Sequence, residues 1–211
     1  MITALAATLA VTGLAGCRTN VGVAARVAGD RITESDVNGY LAPGGVDPSL
    51  AAQAKTQGQQ VIPPRTQVLQ FLIQEKVFEK TLGDLGVRPT PGQLAASHDA
   101  AARLLLQTQL TGAALDAAIE KQLPSSGIKK SFRPTFLRVE ELEYTLIQKR
   151  KLTQLSELVA LIKQAKIPVS VSPRYGKWIP NQLSLDGKPV VPPYLSVQPT
   201  PGAGASSQPG G

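Results

Sequence analysis

Ala25-Arg26-Val27-Ala28-Gly29-Asp30-Arg31-Ile32-Thr33-Glu34-Ser35-Asp36-Val37 is the stretch that decides the fold. Two short apolar runs, within Val23 to Ile32, flank Ala28-Gly29-Asp30-Arg31. Gly-Asp at the middle is a turn signature, so the spacing predicts a small β-hairpin. Thr33 then stands three residues ahead of Asp36. That is the layout of a capping box with Asp in place of the usual Glu, and it starts a short helix through Val37 and Tyr40 to Leu41.

Outward from there, residues 42–63 carry Pro43, Gly44, Gly45, Pro48, Gly58 and Pro63 and read as a connection with a helical turn or two after Pro48. Pro64 suits the first position of a helix. Val68, Leu69, Phe71, Leu72, Ile73, Val77, Phe78 and Leu82 recur at spacings of three and four on more than one face, so Arg65 to Leu82 is the expected core helix. Gly83 and Gly86 end it. Thr90-Pro91 opens a helix through Leu94, Ala101, Leu104 and Leu105, and Leu115, Ile119 and Leu123 line a further short one. A long helical stretch is expected from Pro134 to Lys166, with Leu142, Leu146, Leu155, Leu158, Val159 and Ile162 on its apolar side. Val169 and Val171 alternate with polar residues and read as a strand. Two strands alone are marginal, so this one is expected to join the N-terminal hairpin. The fold class is mainly α (α+β), with a small antiparallel sheet made from both ends of the domain.

Composition narrows the chemistry. The 211 residues include one His, one Cys, one Met and one Trp, with aromatics at 4%. An internal disulfide and a multi-His or Cys-cluster metal site are excluded, and no cofactor is expected. Twenty-two Lys and Arg against fifteen Asp and Glu give a formal charge of +7. In a cytosolic chain such a balance points to nucleic acid. The N-terminus points elsewhere. Ile2 to Leu14 is an apolar run too short to span a bilayer, and it ends in Leu14-Ala15-Gly16-Cys17. Those four residues resemble the bacterial lipobox, which implies cleavage before Cys17 and a diacylglyceryl group on its thiol. Two acyl chains hold a protein on a bilayer where one does not. The alternative is a core Cys behind an ordinary secretion signal. Met1-Ile2-Thr3 lacks the usual Lys or Arg, so the true start is expected upstream. The division is then 1–16 signal peptide, 17–22 lipidated tether, 23–185 helical domain and 186–211 a Pro/Gly/Ser-rich tail expected to be disordered. The location is the extracytoplasmic face of the cell membrane, with neither nucleic acid nor a small-molecule substrate as partner.

With the pieces in this order, residues 25–37 resemble the opening of the SurA/PrsA-like exported chaperones. Arg65 to Leu82 followed by Gly86-Val87-Arg88-Pro89-Thr90, and Val169-Ser170-Val171-Ser172-Pro173-Arg174-Tyr175-Gly176-Lys177-Trp178, are similar to two further landmarks of that family. The resemblance covers roughly 23–180. It implies an ATP-independent chaperone or holdase, a SurA-N-like domain whose groove holds unfolded or newly exported proteins. Members often carry an inserted parvulin prolyl isomerase. Here 91–166 is too short for one and the chain has one His where that site pairs two, so no enzyme is expected. Gly83-Asp84-Leu85-Gly86 echoes a parvulin motif but reads as a helix C-cap. The expected client groove lies between 65–82 and 134–166 and uses Leu69, Leu72, Ile73, Val77, Leu142, Leu146, Leu155 and Val159. The competing reading is a structural adaptor for one dedicated envelope partner.

Four other features have plain readings beside sharper ones. His98 sits on the apolar stripe of its helix and lacks an evident partner; catalysis would require a pocket converging on it. Lys149-Arg150-Lys151, with Lys129, Lys130, Arg133 and Arg138 upstream, is a solvated helix face or an attraction to anionic membrane. Arg174-Tyr175-Gly176-Lys177-Trp178 is a ligand-binding segment, or, on the plainer expectation, Trp178 covers an open end of the core, with Gly176 allowing a tight turn. Glu140, Glu141 and Glu143 are expected at the surface.

Overall fold

The computed structural model describes residues 22–58, 61–105 and 109–188. The hairpin forms as β1 (Val23–Val27) and β2 (Asp30–Thr33). Its two-residue turn is Ala28-Gly29, both at positive φ, one position earlier than the Gly-Asp pair suggested. Thr33 caps α1 (Glu34–Gly39): the Asp36 N–H donates to Thr33 Oγ1 at 3.1 Å, and the Thr33 N–H donates to Asp36 Oδ2 at 2.7 Å. The shorter Asp closes the box as Glu does.

Next come α2 (Pro48–Thr56), α3 (Pro64–Asp84), α4 (Pro91–Leu105), α5 (Gly112–Ser125), a short 3-10 turn (Lys130–Phe132), α6 (Arg133–Arg150) and α7 (Leu155–Ala165). Gly83 stays inside the last turn of α3, and the stop is at Gly86, φ +68°, where the Val87 N–H reaches back to the Leu82 carbonyl at 2.8 Å. This is the six-residue wrap of a glycine C-cap. The expected 134–166 helix is two helices. Lys151 takes the left-handed conformation at φ 52°, and a new start follows, with Glu157 accepting from the Gln154 N–H.

β3 (Val169–Val171) pairs antiparallel with β1, pairing Ala25 with Val171 and Val27 with Val169. The sheet order is β2-β1-β3, as expected for a domain whose two ends meet. A second sheet, not expected, pairs β4 (Trp178–Ile179) with β5 (Ser184–Leu185). Asp186 holds the chain beyond it by accepting from the Lys177 and Lys188 N–H groups, so the body continues past the expected boundary at 185. The fold is mainly α with a small antiparallel sheet.

Its core sits where α3, α6 and the sheet meet. Val68, Leu69, Ile73, Val77, Phe78, Val139, Leu142 and Leu146 are almost wholly removed from water there, with Ala24 and Val27 from β1. α4 packs along the other side of α6.

Candidate functional site

The groove expected between α3 and the 134–166 region is not open. Leu69, Ile73, Val77, Leu142 and Leu146 are core residues, and α3 packs directly on α6. Leu72 is half-buried and faces a cleft of about 530 Å³ shared with Tyr40 and a charged rim of Arg31, Asp36, Glu75 and Lys76. Val159 packs partly against the core, while Leu155 stands alone at 66% exposure. Helical spacing reports which positions are apolar but not what covers them. Cys17 and the 1–16 signal lie outside the described residues, as does the tail from 189. No helix among the described residues is long and apolar enough to cross a membrane.

The open apolar surface is elsewhere. α2 buries none of its residues. Between it and the start of α3 runs a cleft of about 390 Å³ lined by Val46, Leu50, Ala54, Val61 and Ile62, with Gln53, Gln57, Gln67 and Ser126 at its rim. Leu50 is 39% exposed and Ile62 42%. That volume is at the small end of ligand pockets, about 300–1,000 Å³.

Glutamine is the notable rim residue because of what it does on the neighbouring face. Gln67, Gln70 and Gln74 share one side of α3. Gln67 Nε2 donates to the Ile62 carbonyl at 3.0 Å, Gln70 Oε1 accepts from the Leu185 N–H at 3.1 Å, and Gln74 Nε2 donates to the Leu183 carbonyl at 2.8 Å. The chain from Leu183 to Leu185 runs against the helix, its first residue on Gln74 and its last on Gln70. α3 thus holds the turn residue Leu183, at φ 51°, and the second residue of β5 by their backbone groups. Gln53 and Gln57 offer the same chemistry across the cleft, and no side-chain hydrogen bond engages either among the described residues.

His98 gained partners the sequence did not indicate. Nδ1 lies 3.5 Å from Glu141 Oε1, and Nε2 lies 3.8 Å from Asp116 Oδ1. Asp116 also pairs with Arg133, so the cluster ties α4 to α5 and α6. None of the clefts described here is lined by His98, and no cluster of three potential metal ligands occurs among the described residues.

The acidic patch is corrected. Glu140 is buried, at 9% exposure, and burial, with the Glu143 charge adding to it, pushes its carboxyl up to about 8. Burial pushes Glu143 up to about 7 and also raises Glu141. Neither Glu140 nor Glu143 has a hydrogen-bond or ion-pair partner among the described residues. Their spacing with Phe136 and Ile147 (four, seven and eleven along the helix) places them on one stripe with apolar residues, and this was the available signal.

The basic stretch divides as well. Lys130 pairs with Glu120, Arg138 with Glu79 and Glu75, and Lys129 Nζ donates to the Gly39 carbonyl. With Arg133 on Asp116, Lys149, Arg150 and Lys151 are the members of that group with neither an ion pair nor a side-chain hydrogen bond among the described residues. Trp178 packs partly on the core from β4.

Comparison of the chain with protein-family models, with curated proteins and with solved structures found no match.

Proposed function

We propose that this chain is a lipid-anchored protein of the extracytoplasmic face of the cell membrane. It binds unfolded or newly exported polypeptides without ATP, as a holdase without isomerase activity, in the manner its resemblance to the SurA/PrsA-like chaperones implies. Cys17 is the acylation site in this reading, and binding rather than catalysis is the activity. The observation that supports it most is the apolar cleft at α2 with its glutamine rim, next to a helix face whose glutamines already bond backbone groups of the turn and strand at Leu183 and Leu185. An apolar floor takes side chains of any shape, and amides satisfy the backbone of any sequence. Each contact is weak, so clients exchange quickly.

The test is light scattering of an aggregating unfolded client. The full chain carrying Cys17→Ser is expected to slow aggregation at comparable molar amounts, and Leu50→Lys to remove most of that effect. No slowing across several clients contradicts the reading.

The closed α3–α6 interface favours a second reading. The α2 cleft accommodates a few side chains, which suits one dedicated envelope partner as well as many clients. Recovery of one protein at a one-to-one ratio, with no effect on aggregation, selects the adaptor.

A further inference from the structure

On the face formed by α4, α6 and the connection after α3, a cleft of about 410 Å³ is lined by Gly86, Val87, Arg88, Pro89, Gln93, Ser97, Tyr144, Thr145, Gln148 and Lys149. Two cations and no carboxylate line it. The cleft of about 530 Å³ around Leu72 and that of about 540 Å³ beside Glu79 both mix the two signs. Lys80 and Arg138 in that last cleft are engaged with acids, whereas Arg88, which lines both it and the 410 Å³ cleft, and Lys149 make no ion pair among the described residues.

The neutral groups sort by what they have left to give. The Ser97 hydroxyl donates to the Leu94 carbonyl at 2.8 Å and the Thr145 hydroxyl to the Glu141 carbonyl at 2.7 Å, so both are spent on their own helices. Gln93 Oε1 accepts from the Thr90 N–H at 2.9 Å, closing the cap of α4 and leaving its Nε2 hydrogens for the cleft. Gln148 and the Tyr144 phenol add further donors. Arg88 and Lys149 come from different elements, so donors approach from separate walls. A planar carboxylate is satisfied by one guanidinium fork, whereas a tetrahedral oxyanion takes donors from several directions. Val87, Pro89 and the Tyr144 ring supply an apolar side for whatever the anion is attached to.

We propose that this cleft binds a phosphate group, with Arg88 and Lys149 as its charged ligands and Gln93, Gln148 and Tyr144 as neutral donors. The phosphate belongs either to an anionic lipid headgroup in the membrane or to a free phosphate compound. The inference does not depend on the chaperone reading.

Flotation with vesicles tests the first source. Full chain carrying Cys17→Ser is mixed with phosphatidylcholine vesicles with and without phosphatidylglycerol; the apolar N-terminal run gives the same background on both. Preference for the anionic vesicles is expected to fall about thirtyfold in R88Q/K149Q, roughly fivefold per cation. It is expected to be unchanged in K163Q, an exposed cation on α7. Thermal unfolding in inorganic phosphate, against chloride of equal ionic strength, tests the second source: phosphate raises Tm of the parent chain and not of R88Q/K149Q. A charge-specific response to either probe supports the site and identifies the source. The site is overturned if neither probe separates the parent from R88Q/K149Q, or if K163Q loses as much.

Discussion

At Gly176 the backbone takes φ +86°, and a Cβ placed there would lie 2.0 Å from Asp186 Oδ1 and 2.9 Å from the Lys188 carbonyl oxygen. The same Asp186 oxygen accepts from the Lys177 and Lys188 N–H groups, which hold its carboxyl below the usual range. Gly176→Ala is therefore expected to cost about 2–4 kcal/mol, through both strain and a broken turn. Urea unfolding measures it, and an unchanged midpoint contradicts the role. Glu140 makes a second prediction. Below pH 4.5 the folded and unfolded chains both carry its proton. Between 4.5 and about 8 the folded chain keeps a proton that the unfolded chain releases, so stability falls as pH rises through that window. Glu140→Gln removes the liability. It is expected to stabilise the fold by about 1–3 kcal/mol at pH 8 and to change little at pH 5. Equal pH slopes in the two proteins would sink this.

Between α6 and α7 the chain turns at Lys151 without glycine or proline. A non-glycine residue in the left-handed region costs about 1–2 kcal/mol. Lys151→Gly is expected to raise stability by up to about 1 kcal/mol, read as a higher Tm; a lower Tm would show that the lysine side chain contributes more than its backbone costs. This break also shows where sequence reading ended. The 25–37 hairpin and cap were legible because each is local chemistry: a turn, an oxygen for the orphan N–H groups of a first turn, an alternating strand. The stop at Gly86 was legible for the same reason. The 151–154 break consists of helix-compatible residues and was not. The client groove failed for a different cause. Leu69, Ile73, Leu142 and Leu146 have the spacing of an apolar face, but only packing shows that each face covers the other. The α2 cleft was invisible because 42–63 reads as connection, and its apolar residues gain meaning only beside Gln67.

Across the whole molecule, the two ends of the domain are fastened together. β3 joins β1, the Tyr175 hydroxyl donates to Glu34 Oε2 at 2.6 Å, and Arg174 lies 3.3 Å from Glu34 Oε1. Burial and the Glu34 charge push the Tyr175 phenol well above its ordinary range, so it remains a donor at any physiological pH. The proposed binding therefore falls at an edge of this body, at the apolar cleft beside α2. The most direct measurement is fluorescence anisotropy of a labelled, unstructured apolar peptide titrated with the full chain carrying Cys17→Ser. Saturable binding is predicted, lost in Leu50→Lys and kept in Leu155→Lys, whose leucine is exposed away from the cleft. Equal binding by both variants, or none by the parent chain, would contradict it.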